Sequence, residues 1–222
     1  MRPYVICHMI PSVDGRIKME RWDLASFGVY DRIASTFHAD AWMAGRVSME
    51  VYGARQRPPL RRPSNPIPRA DFVARVADSY GIAVDPSGKL NWKSADLHGD
   101  HAITVLTQTV SDGYLAFLRS KGVSYVFGGE KKLDLARVME KLRELFGIRR
   151  LLLEGGGGIN GSMLRAGLIN ELSILVAPVA DGAVGTPTLF DVDDPPARAT
   201  KLKLLSTKKL ANGVVWLRYK VR

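Results

Sequence analysis

The sequence predicts an α/β protein: a central, mostly parallel sheet flanked by helices, with an antiparallel C-terminal hairpin. Three observations carry that prediction. Short apolar runs of strand length alternate with segments of helical period, the pattern of a parallel βα sheet. Two of these runs end in glycine, at Gly45 and at Gly155, and lead straight into helical segments. The chain finishes with two extended runs, 200–207 and 214–220, joined through Ala211-Asn212-Gly213. Asn-Gly between strand-like runs is a hairpin signal.

The elements follow in order. Residues 5–10 form a first strand. Residues 29–38 have helical spacing and lead into a short strand, 41–44, after which Gly45 and Arg46 open a helical turn toward Tyr52. Prolines and arginines crowd residues 53–69, which excludes a regular element and predicts a long surface loop. A short helix is expected over 71–78 and buried strands over 82–84, 102–106 and 123–127. Residues 134–146 form a helix with Leu135, Val138, Met139, Leu142 and Leu145 on one face, and Gly147 closes it as a C-cap. A strand over 151–153, a short helix over 159–166 closed by Gly167, and a strand over 171–176 complete the series.

The 222 residues are 46% hydrophobic, which suits one large domain spanning 1–222 with a substantial core. The first apolar run is too short for a signal-peptide core. No apolar stretch approaches the roughly 18 residues that span a bilayer. A soluble, unexported, cytoplasmic protein is expected. The lone Cys7 lies inside an apolar run and is expected to be a buried small hydrophobe. With one cysteine and four scattered histidines, no metal site is expected. The net charge of +10 attracts polyanions or phosphorylated small molecules. The basic residues form no single long run and no nucleic-acid motif, which favours the small molecule over nucleic acid. Arg55, Arg57, Arg61, Arg62 and Arg69, set among prolines, are expected to be solvated.

Three turns carry the candidate chemistry. After Leu153 come Glu154 and four glycines, Gly155 to Gly158, and then a helix. Glycines let the backbone approach a ligand closely, and a helix start offers unpaired N–H groups to a phosphate. The order is neither a P-loop nor a GxGxxG fingerprint. The turn at Gly45-Arg46-Val47-Ser48 repeats the logic, with the Arg46 guanidinium and the Ser48 hydroxyl as further anion donors. Two such strand ends fit a ligand with two phosphates, such as a dinucleotide. The third turn, Ser12-Val13-Asp14-Gly15-Arg16, follows the first strand. It places Ser12 and Asp14 at the carboxyl edge of the sheet, with Arg16 available to a substrate phosphate.

In this order the three motifs resemble the reductase domain of riboflavin biosynthesis, which shares the dihydrofolate-reductase-like fold. The matching pieces are Ser12 to Ile17, Ala39-Asp40-Ala41 with Gly45 to Ser48, and above all Leu153 to Leu172 with Ala177-Pro178 and Asp181-Gly182. The resemblance implies reduction of 5-amino-6-(5-phosphoribosylamino)uracil by NADPH, with hydride passing to the ribose C1′. It implies that Gly45, Arg46, Ser48, Gly155, Gly156, Gly157 and Ile159 contact NADPH. It implies that Ser12, Asp14 and Glu154 lie near the substrate and nicotinamide, with Asp14 and Glu154 as catalytic candidates. Thr107, just after a strand, is expected near the adenosine end. A homodimer joined near the C-terminal strands is also implied.

Three features depart from the family pattern. The His-x-Glu and Pro-Cys-x-x-Cys signatures of the zinc deaminase domain carried by many members do not occur, which predicts a stand-alone reductase. Arg16 stands where several members have Lys. The substrate-side Asp-x-Pro with a later Arg is replaced by the proline- and arginine-rich loop. Other readings are a reductase of the same fold for a pterin, folate or other substrate, a non-catalytic nucleotide- or nucleic-acid-binding protein, and a homologue that has lost activity.

Overall fold

A computed structural model describes residues 1–22, 27–54, 58, 60–194 and 198–222. Along the chain run β1 (Tyr4–Met9), α1 (Phe27–Ser35), β2 (Ala41–Gly45), α2 (Arg46–Met49), β3 (Gly53–Ala54), β4 (Tyr80–Val84), β5 (Asn91–Trp92), β6 (Asp96–Leu97) and β7 (Asp100–Thr107). They continue with α3 (Asp112–Ser120), β8 (Ser124–Gly129), α4 (Leu135–Phe146), β9 (Arg150–Leu153), α5 (Gly157–Arg165), β10 (Glu171–Val176), β11 (Leu202–Lys209) and β12 (Val215–Val221). No helix among the described residues is long and apolar enough to cross a membrane. The chain divides into two compact units, Met1–Pro3 with Asp40–Arg149, and Tyr4–Ala39 with Arg150–Arg222.

In the first unit, β2, β4, β7 and β8 pair in parallel, and short β6 lies antiparallel on β7. The strands are almost continuously apolar, as sheets covered on both faces require. Met43, Ile82, Ile103, Val105 and Leu106 are fully buried, as are Val138, Met139 and Leu142 of the amphipathic α4. Asp134 caps α4 by accepting from the Arg137 N–H at 3.0 Å, and Gly147 ends it at φ 70°. Helix α3 has no counterpart among the expected elements. Ser111 caps it, and Tyr114, Leu115, Phe117 and Leu118 form its buried face.

The helix expected over 71–78 is not formed. Phe72 and Tyr125 exchange backbone hydrogen bonds of 2.9 Å in both directions. The Asp71 carboxylate accepts from the Phe127 N–H at 2.8 Å and from Lys141 Nζ, and the Ala74 N–H reaches Ser124 Oγ at 3.0 Å. The outer edge of β8 has backbone groups to satisfy, and those bonds outweigh a weak local helical preference. In the proline-rich loop, Arg55 and Arg57 lie outside the described residues, and Arg61 and Arg62 are exposed. Arg69 is exposed too, and it also pairs with Asp112 at 2.6 Å and donates to the carbonyls of Ile67, Gln108 and Val110.

In the second unit, β1 lies between β9 and β10 and is parallel to both. The hairpin β11–β12 joins antiparallel through β10, with Asn212 and Gly213 at φ 56° and 76° in its turn. Cys7 is wholly buried in β1, and burial pushes its thiol pKa up. Beside it, His8 is wholly buried and stacks on Tyr30 at 4.3 Å. His8 Nε2 meets the Tyr30 carbonyl at 3.3 Å, which can only accept, so Nε2 carries the proton. Nδ1 then accepts from the Ser173 hydroxyl at 2.9 Å, while Ser173 accepts from the Trp216 indole at 2.8 Å.

Burial lowers the pKa of His8 to about 4, and His101 of the first unit is also lowered to about 4, by burial and then by Arg75. An unfolded imidazole binds a proton near pH 6.5, whereas these two stay neutral in the fold until about pH 4. Their contribution to stability is therefore complete above about pH 6.5 and lost as the pH falls toward 4, at roughly 3 kcal/mol per imidazole. Denaturant unfolding followed from pH 7 to pH 4 should show that fall, and His101→Gln should flatten part of it.

Candidate active site

Ligands of open α/β sheets gather at the carboxyl ends of the strands. In the second unit, β1 and β9 run into the two most informative turns. The turn after β1 is tightly specified. Ser12 is buried, and its Oγ donates to Asp14 Oδ1 at 2.7 Å and accepts from the Arg16 N–H at 2.9 Å. Asp14 also accepts from the amides of Asp181 and Gly182, both at 2.9 Å. The Ser12 hydroxyl and then these two amides hold the Asp14 carboxyl well below the usual carboxylate range. A carboxylate so held is a poor proton donor. Arg16 donates through Nη1 to the Thr186 carbonyl at 2.9 Å, and its Nε lies 3.8 Å from Asp14 Oδ2.

The turn after β9 begins at half-buried Glu154, which lies beside the phenol of Tyr30. Tyr30 itself donates to the His8 carbonyl at 2.9 Å. Burial, and next the charge of Glu154, push the Tyr30 pKa up. Gly155 and Gly156 adopt φ of 129° and 61°, conformations that L side chains rarely adopt, and Gly156 is the N-cap of α5. These two glycines leave the approach to α5 without side chains.

The other glycines of the run serve different ends. A β-carbon on Gly157 would collide with the Asp191 carboxylate and the Thr188 carbonyl, and one on Gly161 would stand 2.5 Å from the Asp191 carbonyl oxygen. Both glycines therefore admit the passing 188–192 segment. Gly158 is exposed and meets nothing. Ile159 is half-buried in the first turn of α5.

In the first unit, the registers Gly45↔Val84, Val84↔Val105 and Thr107↔Gly129 bring strand ends to one edge. Gly45 is the N-cap of α2 at φ −71°, a conformation open to any residue. Arg46 is ion-paired with Glu50, and Ser48 is exposed. Thr107 is only 2% exposed, and its hydroxyl is taken up by the Pro86 carbonyl at 2.8 Å and the Thr109 hydroxyl at 2.7 Å. It shapes this edge from inside, and the exposed neighbours Gln108 and Thr109 form the surface.

Two residues, one in each unit, escaped the sequence reading. Asp85, wholly buried at the end of β4, accepts through Oδ2 from the Lys89 and Leu90 amides at 2.6 and 2.8 Å, while Oδ1 has no partner. Burial raises its pKa against those hydrogen bonds. The signal was Asp85-Pro86-Ser87-Gly88, a turn sequence directly after an apolar run, as at Asp14-Gly15. Tyr30 gave no local signal, since a tyrosine on a helix face has the look of core.

Strand ends with glycine-opened helix starts and an antiparallel closing hairpin define a dihydrofolate-reductase-like α/β protein. The chain belongs to the RibD C-terminal domain family, whose profile matches residues 3–216. It is 34% identical over 222 residues, 97% of each chain, to the 2,5-diamino-6-ribosylamino-4(3H)-pyrimidinone 5′-phosphate reductase of Methanothermobacter thermautotrophicus. Identity to the protein of the same name from Archaeoglobus fulgidus is 24% over 200 residues, covering 86% of this chain and 87% of that one. Among solved structures, a pyrimidine reductase-like protein of Corynebacterium diphtheriae superposes with a TM-score of 0.71 at 19% identity, covering 99% of this chain and 92% of that one. The riboflavin biosynthesis reductase Rib7 of Saccharomyces cerevisiae gives 0.64 at 19% identity, covering 100% and 89%. At those identities the structures establish the shared fold.

The glycines separate experimentally. Gly161→Ala should cost about 1–3 kcal/mol, because backbone must shift to admit the methyl group. Gly158→Ala, exposed and helical, should lie within about 0.5 kcal/mol of the parent or stabilise it slightly. Thermal unfolding of the two variants checks the contrast.

Proposed function

We propose that this chain is an NADPH-dependent reductase that converts the ribosyl group of 2,5-diamino-6-ribosylamino-4(3H)-pyrimidinone 5′-phosphate to ribityl, in the cytoplasm. The observation that carries the reading is the 34% identity over 97% of both chains to a reductase of that name. The sequence alone pointed to the uracil analogue, 5-amino-6-(5-phosphoribosylamino)uracil. The two compounds differ in the pyrimidine and share the phosphorylated ribosylamine on which reduction occurs, so the chemistry asked of the protein is the same.

Reduction of the ring-opened imine places a hydride on C1′ and a proton on nitrogen, and bound NADPH supplies the hydride. Such a step needs alignment and one proton source more than a catalytic triad. In the second unit, the positive-φ glycines Gly155 and Gly156 leading into a helix start support a role for the start of α5, with Gly157 and Ile159, in binding a cofactor phosphate. In the first unit, Gly45, Arg46 and Ser48 are the proposed cofactor contacts, and Asp85 with its unpartnered oxygen is a further polar group at that edge. Arg16 is the proposed partner of the substrate phosphate, with Ser12 shaping the turn that presents it. Glu154 is the proposed proton donor, because Asp14 is held ionised by its three hydrogen bonds. Strand β11 is exposed along its length, with Leu202, Leu204 and Leu205 41–52% exposed, which supports the implied homodimer.

Purified protein should oxidise NADPH in the presence of the diaminopyrimidinone phosphate, more slowly with the uracil analogue, and more slowly with NADH. Oxidation with neither pyrimidine would refute the reading, and preference for the uracil would move the substrate. Gly156→Asp places a β-carbon at φ 61° and a carboxylate at the helix start, and should weaken NADPH binding at least about tenfold in a tryptophan fluorescence titration.

A further inference from the structure

The segment after β10 crosses both turns of the second unit and is fastened at each. The Val13 N–H donates to the Val179 carbonyl at 2.8 Å, and Asp14 takes the amides of Asp181 and Gly182. Farther along, Arg16 Nη1 holds the Thr186 carbonyl, the Ile17 N–H holds the Pro187 carbonyl at 3.2 Å, and the Leu189 N–H reaches the Gly15 carbonyl at 3.2 Å. At the far end, the Asp191 N–H donates to the Gly157 carbonyl at 3.0 Å and Asn160 Nδ2 donates to the Leu189 carbonyl at 3.1 Å. Thr188 closes the end on itself, donating through its hydroxyl to Asp191 Oδ1 at 2.6 Å. Residues 179–191 are thus a strap that ties the Ser12–Arg16 turn to the start of α5.

The strap has little apolar burial to keep it in place. Val184 is 98% exposed and carries no packing. Leu189 and Phe190 are half-buried, and hydrogen bonds at the anchors hold the rest; Asp14 accepts two of them, more than any other side chain outside the strap. Asp181 is fixed from a second side, since the Trp22 indole donates to its Oδ2 at 2.6 Å.

We propose that Asp14 is a positioning residue, whose carboxylate anchors the strap and thereby sets Arg16 for the substrate phosphate and α5 for the cofactor phosphate. This role rests on the reductase reading for its ligands, but the anchoring can be observed without activity. The turn and the start of α5 are then coupled through the strap, and loosening one end loosens the other.

The test compares Asp14→Ala and Asp14→Asn with the parent chain. Asparagine keeps the size of the side chain and an acceptor oxygen, so it serves if the alanine variant fails to fold. Amide hydrogen exchange over 179–191 should quicken about tenfold or more in the variants, with β1, β9 and β10 unchanged. In the reductase assay, the KM for the pyrimidine phosphate should rise about tenfold, the pH–rate profile should keep its limbs, and asparagine should restore part of the loss. Unchanged exchange in both variants would overturn the proposal. A pH limb lost in Asp14→Asn would overturn it as well, because Asp14 would then take part in proton transfer. If the parent reduces neither pyrimidine, the reductase reading fails, and the exchange result alone decides whether Asp14 anchors the strap.

Discussion

Asp14 accepts one hydroxyl and two backbone amides on a single carboxylate, and the arrangement of the second unit's strand-end turns follows from that. The bonds bring a sixteen-residue reach of chain, from the end of β10 at Val176 to Asp191, back over the turn after β1 and the start of α5. Two glycines in α5, Gly157 and Gly161, are required because this segment passes too close for a β-carbon. Gly155 and Gly156 have a different cause, backbone conformations at φ 129° and 61° that L side chains rarely adopt. One short glycine-rich run therefore answers two separate demands.

Among the carboxylates at the strand ends, Asp14 and Asp85 are shifted in opposite directions by their surroundings. Three donors keep Asp14 charged, burial works against the charge on Asp85, and Glu154 lies against a buried phenol whose own pKa it helps to raise. Groups whose environments oppose each other in this way take different roles. Asp14 is suited to holding structure, whereas Glu154 lies beside the Tyr30 phenol. Of the two catalytic candidates, that difference favours Glu154 over Asp14 for the proposed proton transfer.

Much of the fold was legible because strands buried on both faces are apolar without interruption, and β2, β4, β7, β9 and β10 announce themselves that way. The hairpin was legible through Asn212-Gly213, whose left-handed φ values need those residue types. Helix α3 was equally readable from the Ser111 cap and the spacing of Tyr114, Leu115 and Leu118, and was missed. The 71–78 segment could not be read locally, since its conformation answers to the open edge of β8. Within the site, sequence located the turns and misjudged some roles. A glycine needed for φ and a glycine needed for a neighbour's passage are written with the same letter, and the hydroxyl of Thr107 turns inward only because Pro86 and Thr109 are there to meet it.

Hydride delivery to the sugar is the step that defines the proposed activity. The most direct measurement is incubation of the protein with NADPH deuterated at the transferring nicotinamide carbon and the diaminopyrimidinone phosphate, with the product analysed by mass spectrometry and NMR. The account predicts a ribityl product carrying one deuterium at C1′. A recovered ribosyl compound with no deuterium, from protein that is folded and saturated with the cofactor, would contradict it.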